Sequence, residues 1–174
     1  MNIRTKLKNI LKENKGVMVI ETAIVSIIII ICICGVVDLN SVMKKHNSIS
    51  TTATYISRVV SKQGGVRTSP PDGYYSNYVT SQELFNNVQF VLNKAGIKND
   101  DWDVYINDYK LSPNSYLPVF SRGESIKVSL KAKYKWSIVS QLTPIRLEQS
   151  KTANRNVVST FKNRTSTENK TTIE

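Results

Sequence analysis

The chain is poor in the residues that most often carry enzymatic chemistry. Its 174 residues include only two cysteines and one histidine. Cys32 and Cys34 are two residues apart, which places them on different sides of a helix and in no metal-binding arrangement. No glycine-rich phosphate loop and no nucleophile-and-base pair is present, and His46 is a packing or surface histidine. We therefore expect a protein that is not an enzyme and that uses neither a cofactor nor a metal.

Two further site types are excluded. No cysteine follows Cys34, so the remaining chain cannot be a disulfide framework. The acidic cluster around "NDDWDVYIND" does not have the spacing of a calcium loop and has no glycine at a central turn. We interpret the cluster as a solvated turn beside a strand; it comprises Asp100, Asp101, Asp103 and Asp108.

A long apolar run is the most prominent feature that is present. From Val17 to Val37, 21 consecutive residues carry a single charge, that of Glu21. At ~1.5 Å per residue, a helix of this length is about 30 Å long, which matches the hydrocarbon core of a bilayer. No Ala-x-Ala-like cleavage site follows the run. The run therefore predicts a retained single-pass membrane helix over residues 17–37.

Charge predicts the orientation of that helix. Residues 1–16 form a leader with five basic residues and one acidic residue, which favours a cytoplasmic N-terminus. The rest of the chain is then extracellular. The whole chain has a net charge of +11, and residues 38–174, with 19 basic and 11 acidic residues, carry about +8, which favours anionic surfaces as partners.

The helical pattern continues beyond the membrane run, over residues 38–64. One apolar stripe recurs at helical spacing, and Gly64 and Gly65 mark the end of this amphipathic continuation. The stripe comprises Val42, Ile49, Ala53, Ile56 and Val60.

Residues 65–159 predict an extracellular α+β domain. Thr80 and Glu83 form a capping-box pattern at the start of a further helix, which Gly96 ends. "WDVYIN" and a segment from Ile145 to about Thr152 predict short strands. The expected fold is a long N-terminal helix packed on a small antiparallel sheet with one further helix, and the polar tail, residues 160–174, predicts disorder.

The clearest strand signal runs from Ile126 to Ile138, where apolar residues alternate with polar ones. The polar set contains Lys127, Lys131, Lys133 and Lys135. These lysines are candidates for contact with a polyanion, either nucleic acid or an anionic wall polymer. The competing interpretation is a solvated sheet face whose repelling charges discourage edge pairing.

The start of the chain resembles the class III signal of type IV pilins. The resemblance rests on the basic leader, "KG", four apolar residues, Glu21 and the long apolar helix. The segment from Gly16 through "GVVDLN" is similar to TadE-like minor pseudopilins of tight-adherence pili. The segments "TATYISRVVSKQGGV", "GESIKVSLKAKY" and "TANRNVVSTFK" are similar to a related family of Gram-positive bacteria.

The resemblance implies a processing and assembly pathway. A prepilin peptidase would cut between Gly16 and Val17, and the subunit would assemble with other pilin or pseudopilin subunits in the membrane or a surface filament. Glu21 would then pair with the new α-amino group of a neighbouring subunit. Two alternatives stay open: a membrane-anchored extracellular binding protein that never assembles, and a DNA-uptake or conjugation component. Nucleic acid is not the expected partner.

Overall fold

The computed structural model describes residues 14–70, 78–136, 138 and 148–161. Within these ranges, the helices α1 (Asn14–Gln63) and α2 (Ser81–Lys94) precede a short 3-10 turn, Asn99–Asp101. The strands are β1 (Trp102–Ile106), β2 (Tyr109–Lys110), β3 (Ser125–Lys135) and β4 (Glu148–Val158). They form an antiparallel sheet in the order β2-β1-β3-β4. The predicted α+β fold is confirmed.

The chain divides into two compact units. Of the described residues, one unit contains α1 up to Ser41 together with Trp136 and Ile138, and the other contains those from Val42 to Lys135 and from Glu148 to Phe161. The predicted leader and tail lie outside the described residues, apart from Asn14 to Gly16 and the pair Thr160 and Phe161.

The second part of α1 provides one wall of the core. All five apolar residues of the predicted stripe are buried. His46, which lies between Val42 and Ile49 in sequence, is exposed, and the neighbouring Lys45 is buried. The Lys45 ammonium donates a hydrogen bond to the carbonyl of Lys135 at 3.1 Å, which gives this polar end of the side chain a partner. Helix α1 ends at Gln63, and Gly64 follows with φ +65°, as the glycine pair predicted.

Helix α2 begins with the predicted capping box. The Thr80 hydroxyl accepts a bond from the Glu83 amide, and the Glu83 carboxylate accepts one from the Thr80 amide. Leu84, Val88 and Leu92 form its buried face, whereas the Val91 side chain is exposed.

The β1–β2 hairpin was not predicted. Asn107 and Asp108 connect the strands with φ values of 45° and 69°, which is the backbone twist of a tight two-residue turn. Asn-Gly and Asp-Gly signal such turns more strongly than Asn-Asp, and β2 contains only two residues.

Strand β3 ends earlier than the alternation predicted. It leaves the sheet after Lys135, and the Ile138 amide donates to both carboxylate oxygens of Asp38, at 2.9 and 3.0 Å. Asp38 is 1% exposed. This side chain therefore replaces the strand partner that the Ile138 amide would otherwise need.

The end predicted for the last strand, about Thr152, is wrong, because the strand continues to Val158. Strand β4 covers Glu148–Val158 and pairs with β3 along its full length, from Ser125 opposite Val158 to Lys135 opposite Glu148. The predicted start of this strand, residues 145–147, lies outside the described residues. Two residues on the inner face of β4, Lys151 and Arg155, are basic, so the apolar alternation that marks a strand is interrupted.

These basic residues join β4 to α1. Arg155 donates to the hydroxyls of Ser50 and Thr54, at 3.0 and 3.3 Å. The Lys151 ammonium donates to the carbonyl of His46 at 3.1 Å, and burial lowers the pKa of this ammonium. Lys151, nearer the start of β4, thus contacts an earlier residue of α1 than Arg155 does.

The core gives a direct test of the sheet. Leu130 is fully buried at the centre of β3. We expect Leu130→Ala to lower the free energy of unfolding by about 2 to 5 kcal/mol, because it leaves a cavity. Denaturant unfolding of the full chain in detergent, followed by tryptophan fluorescence, measures the change. Ser129→Ala, on the opposite face of the strand, is the control, and an equal loss in both variants would contradict the assigned faces.

The Asp38 contact gives a second test. We expect Asp38→Ala to leave the Ile138 amide without its acceptor, at a cost of about 1 to 3 kcal/mol. Hydrogen exchange of that amide, measured by mass spectrometry, should accelerate by about 5- to 150-fold. The exposed Asn40 supplies the control variant, Asn40→Ala, for which unchanged exchange is expected. Unchanged exchange in Asp38→Ala itself would show that the carboxylate does not hold the segment.

Candidate assembly segment and basic sheet face

The apolar run lies on α1 with its side chains exposed. Val17 is 48% exposed, and the large apolar residues from Met18 to Val37 are exposed to a similar or greater degree. In the part of the chain that the structure describes, α1 is the one helix long and apolar enough to cross a membrane, and its most apolar stretch is not buried at all. This finding is consistent with a single membrane span. Such a surface requires lipid or other apolar helices around it.

The predicted processing site, Gly16 and Val17, lies in the first turns of α1, which begins at Asn14. Five residues after Gly16, Glu21 presents its carboxylate on the exposed surface of the helix. None of the residues that the structure describes forms an ion pair or hydrogen bond with that carboxylate. The charge therefore has no partner in this part of the chain.

The other polar groups near Glu21 are satisfied within the helix. The Thr22 hydroxyl donates to the carbonyl of Met18 at 2.7 Å, and the Ser26 hydroxyl donates to the carbonyl of Thr22 at 2.8 Å. Both bonds remain intact in an apolar environment, because they need no water. Glu21 is thus the group in this segment that an apolar environment would leave unsatisfied.

The lysines of β3 lie together on the outer side of the sheet. We call this surface the basic sheet face; it comprises Lys127, Lys131, Lys133 and Lys135, all of them exposed. The intervening residues of β3 point to the core, as the alternation predicted.

Two of these lysines contact neighbouring side chains. The Lys131 ammonium lies 5.0 Å from the centre of the Tyr105 ring, a cation–π contact, and Lys135 forms an ion pair with Glu148 at 3.0 Å. For Lys127 and Lys133, the described part of the chain supplies no ion pair.

A second ion pair lies at the edge of this face. Lys110 pairs with Asp103, and the hydrogen bond between them raises the pKa of the Lys110 ammonium. Asp103, the β1 residue opposite Lys131, is therefore engaged by another lysine.

A shallow cavity of about 350 Å³ opens on the basic sheet face. Lys127 and Lys131 lie along it on β3, with Ser129 between them. Tyr105 borders it from β1 and Asn154 from β4. The Thr152 and Asp108 side chains complete its lining.

Two of these features, the position of Tyr105 and the contact of Asp38, were not predicted from the sequence. Tyr105 alternates with the buried residues of "WDVYIN", and this spacing was the available signal that it points outward beside the lysines. Asp38 carried a weaker signal, an acidic residue directly after the apolar run. Its acceptor role depends on a contact across 100 positions of sequence.

The acidic cluster is spread over separate elements. Asp100 and Asp101 belong to the 3-10 turn, Asp103 to β1, and Asp108 to the hairpin turn. Among the described residues, no group of three or more histidine, cysteine, aspartate or glutamate side chains is arranged to hold a metal ion.

Comparison of the chain with protein-family models, curated proteins and solved structures yields no match.

Proposed function

We propose that this chain is a minor pilin or pseudopilin subunit, processed by a prepilin peptidase after Gly16 and assembled into a Tad-like pilus or secretion-type filament. One observation carries the proposal: an exposed apolar helical segment contains a single carboxylate, Glu21, five residues after the glycine. The same segment would anchor the unassembled subunit in the cell membrane. The basic leader would keep the N-terminus cytoplasmic, and the α+β domain would then be extracellular.

Processing supplies the partner that Glu21 lacks. Cleavage after Gly16 gives Val17 a new α-amino group, which is largely protonated near neutral pH because the pKa of such a group is about 8. In a bundle of subunits, this cation on one subunit pairs with the Glu21 carboxylate of its neighbour. The pair offsets part of the desolvation cost of both charges and sets the axial register between the helices.

The alternative is an anchored binding protein that never assembles. It requires the same membrane helix but neither cleavage at Gly16 nor a role for Glu21. The two functions therefore differ in the N-terminus of the mature protein and in the consequence of removing the carboxylate.

The N-terminus provides the first test. Mass analysis of protein recovered from cells should find a mature chain that begins at Val17. We expect Gly16→Val to retain residues 1–16. Gly35→Val is the matched control, because a side chain at Gly35 meets nothing within 4 Å and lies far from the proposed cut. A wild-type chain with an intact Met1, or one cut beyond residue 34, would favour the ordinary anchor.

Removal of the carboxylate provides the second test. We expect Glu21→Leu to insert in the membrane at least as well as the wild type, because insertion scales penalise a central charge by roughly 2.5 to 3.5 kcal/mol. Its recovery in sheared surface filaments should fall at least about tenfold, because the neighbour's buried amine loses its partner, a loss of about 3 to 5 kcal/mol.

Thr22→Leu is the control for this test, since it makes a similar apolar change one residue away and leaves the carboxylate in place. Both variants must be cleaved as the wild type is, so that assembly alone is compared. Normal recovery of Glu21→Leu in filaments would contradict the pairing.

A further inference from the structure

The basic sheet face places its charges in one row. Alternate residues of a strand are about 7 Å apart, so Lys131, Lys133 and Lys135 present cations at that interval. Lys127 lies about 13 Å from Lys131 along the strand, and Ser129 lies between them. An anion held between these two lysines would also meet the Ser129 hydroxyl and the Asn154 amide, which line the same cavity.

The row is one strand wide. The outward residues of β4 opposite Lys127, Ser129, Lys131 and Lys133 are uncharged: they are Asn156, Asn154, Thr152 and Ser150, respectively. On the other side, β1 presents Tyr105 and Asp103. A double-stranded nucleic acid carries its phosphates on two strands across a groove about 12 Å wide. A single row of cations fits a single chain better.

The described residues that line the cavity do not include a set of aromatic rings for base stacking. Proteins that bind single-stranded nucleic acid combine a basic groove with exposed aromatic rings on which bases stack. Among the described residues that line the cavity, Tyr105 is the single aromatic one, so successive bases would find no row of rings on which to stack. The face therefore recognises backbone charge and hydroxyl groups rather than bases.

Acidic side chains also border the basic sheet face, and Asp100 and Asp101 line a second cavity together with Lys131 and Lys133. Lys110 engages Asp103, and Lys135 engages Glu148. Asp108, at the rim of the first cavity, is the acidic residue that would repel an anion there. Lys127, Lys131 and Lys133 form no ion pair with the described residues, so their charges are the ones that can meet a ligand.

We propose that the basic sheet face binds a single-chain phosphodiester polymer without bases, such as poly(glycerol phosphate), laid along β3. Its phosphates would form ion pairs with Lys127, Lys131 and Lys133. Its hydroxyl groups would form hydrogen bonds with the polar side chains of β4. This activity is separate from assembly and would belong to each subunit.

The test uses the full chain in nanodiscs of zwitterionic lipid and purified poly(glycerol phosphate) as the probe. Affinity is measured between 50 and 200 mM NaCl, roughly the range over which phosphate contacts show their salt dependence. The wild type is compared with the triple variant Lys127→Gln, Lys131→Gln, Lys133→Gln. The matched control, Lys62→Gln, Lys94→Gln, Lys98→Gln, removes three exposed lysines on α1 and α2 or just beyond α2 and makes the same change in net charge.

The sheet-face variant should bind about 100-fold more weakly at 0.1 M salt, and its plot of log affinity against log salt should be less steep by about two. The control should stay within about threefold of the wild type. A single variant, Lys133→Gln, should lose about fivefold and tests the same face with less risk to folding. Circular dichroism checks that each variant is folded.

Several outcomes would overturn the proposal. An equal loss in the control variant would show a diffuse effect of net charge. Binding of oligo(dT) as tight as that of the polymer would assign the face to nucleic acid, and displacement of the polymer by phosphatidylglycerol vesicles at equal phosphate would show general affinity for anions. Because binding is measured on unassembled subunits, failure of this proposal leaves the filament proposal intact, and the reverse also holds.

Discussion

Removal of apolar surface from water is the constraint on which the rest of this structure depends. Helix α1 meets it in two different ways. From Val42 to Val60 one stripe is apolar, and the chain itself buries that stripe. From Val17 to Val37 nearly the whole circumference is apolar and remains exposed, so that part requires lipid or other helices. The change from all-round to one-sided hydrophobicity therefore separates the intermolecular part of the helix from the intramolecular part.

Local patterns predicted those elements whose sequence signals are complete within a few residues. The stripe of α1, the capping box at Thr80 and the alternation along β3 are of this kind. Strand β4 is different, because Lys151 and Arg155 occupy its inner face and donate to α1 through long side chains. Its limits are set by pairing with β3, a contact between distant segments that periodicity within β4 does not encode. The early end of β3 also depends on a contact between distant segments, because the Ile138 amide donates to the Asp38 carboxylate.

The candidate site was predictable in composition but not in shape. The lysine row and Glu21 follow from the sequence, since each depends on the spacing of residues along one element. The cavity on the sheet face needs three strands in register, with Tyr105 on β1 and Asn154 on β4 on either side of Ser129. The engagement of Asp103 by Lys110 needs the hairpin that places β2 beside β1. These contacts decide which lysines remain for a ligand.

Under the two proposals, the charges of this chain act in two environments, and the physical consequences differ. Glu21 lies in a segment that must leave water, so its pairing would be strong, weakly screened by salt and specific in register. The lysines of β3 lie on a wet surface, where each contact is weak and salt-dependent and only a row of them holds a polymer. Ionic strength would therefore change attachment of the sheet face to a polyanion and leave the subunit contacts largely unaffected. An assembled filament would repeat the lysine row on every subunit, and this repetition would increase the strength of attachment without any new contact within a subunit.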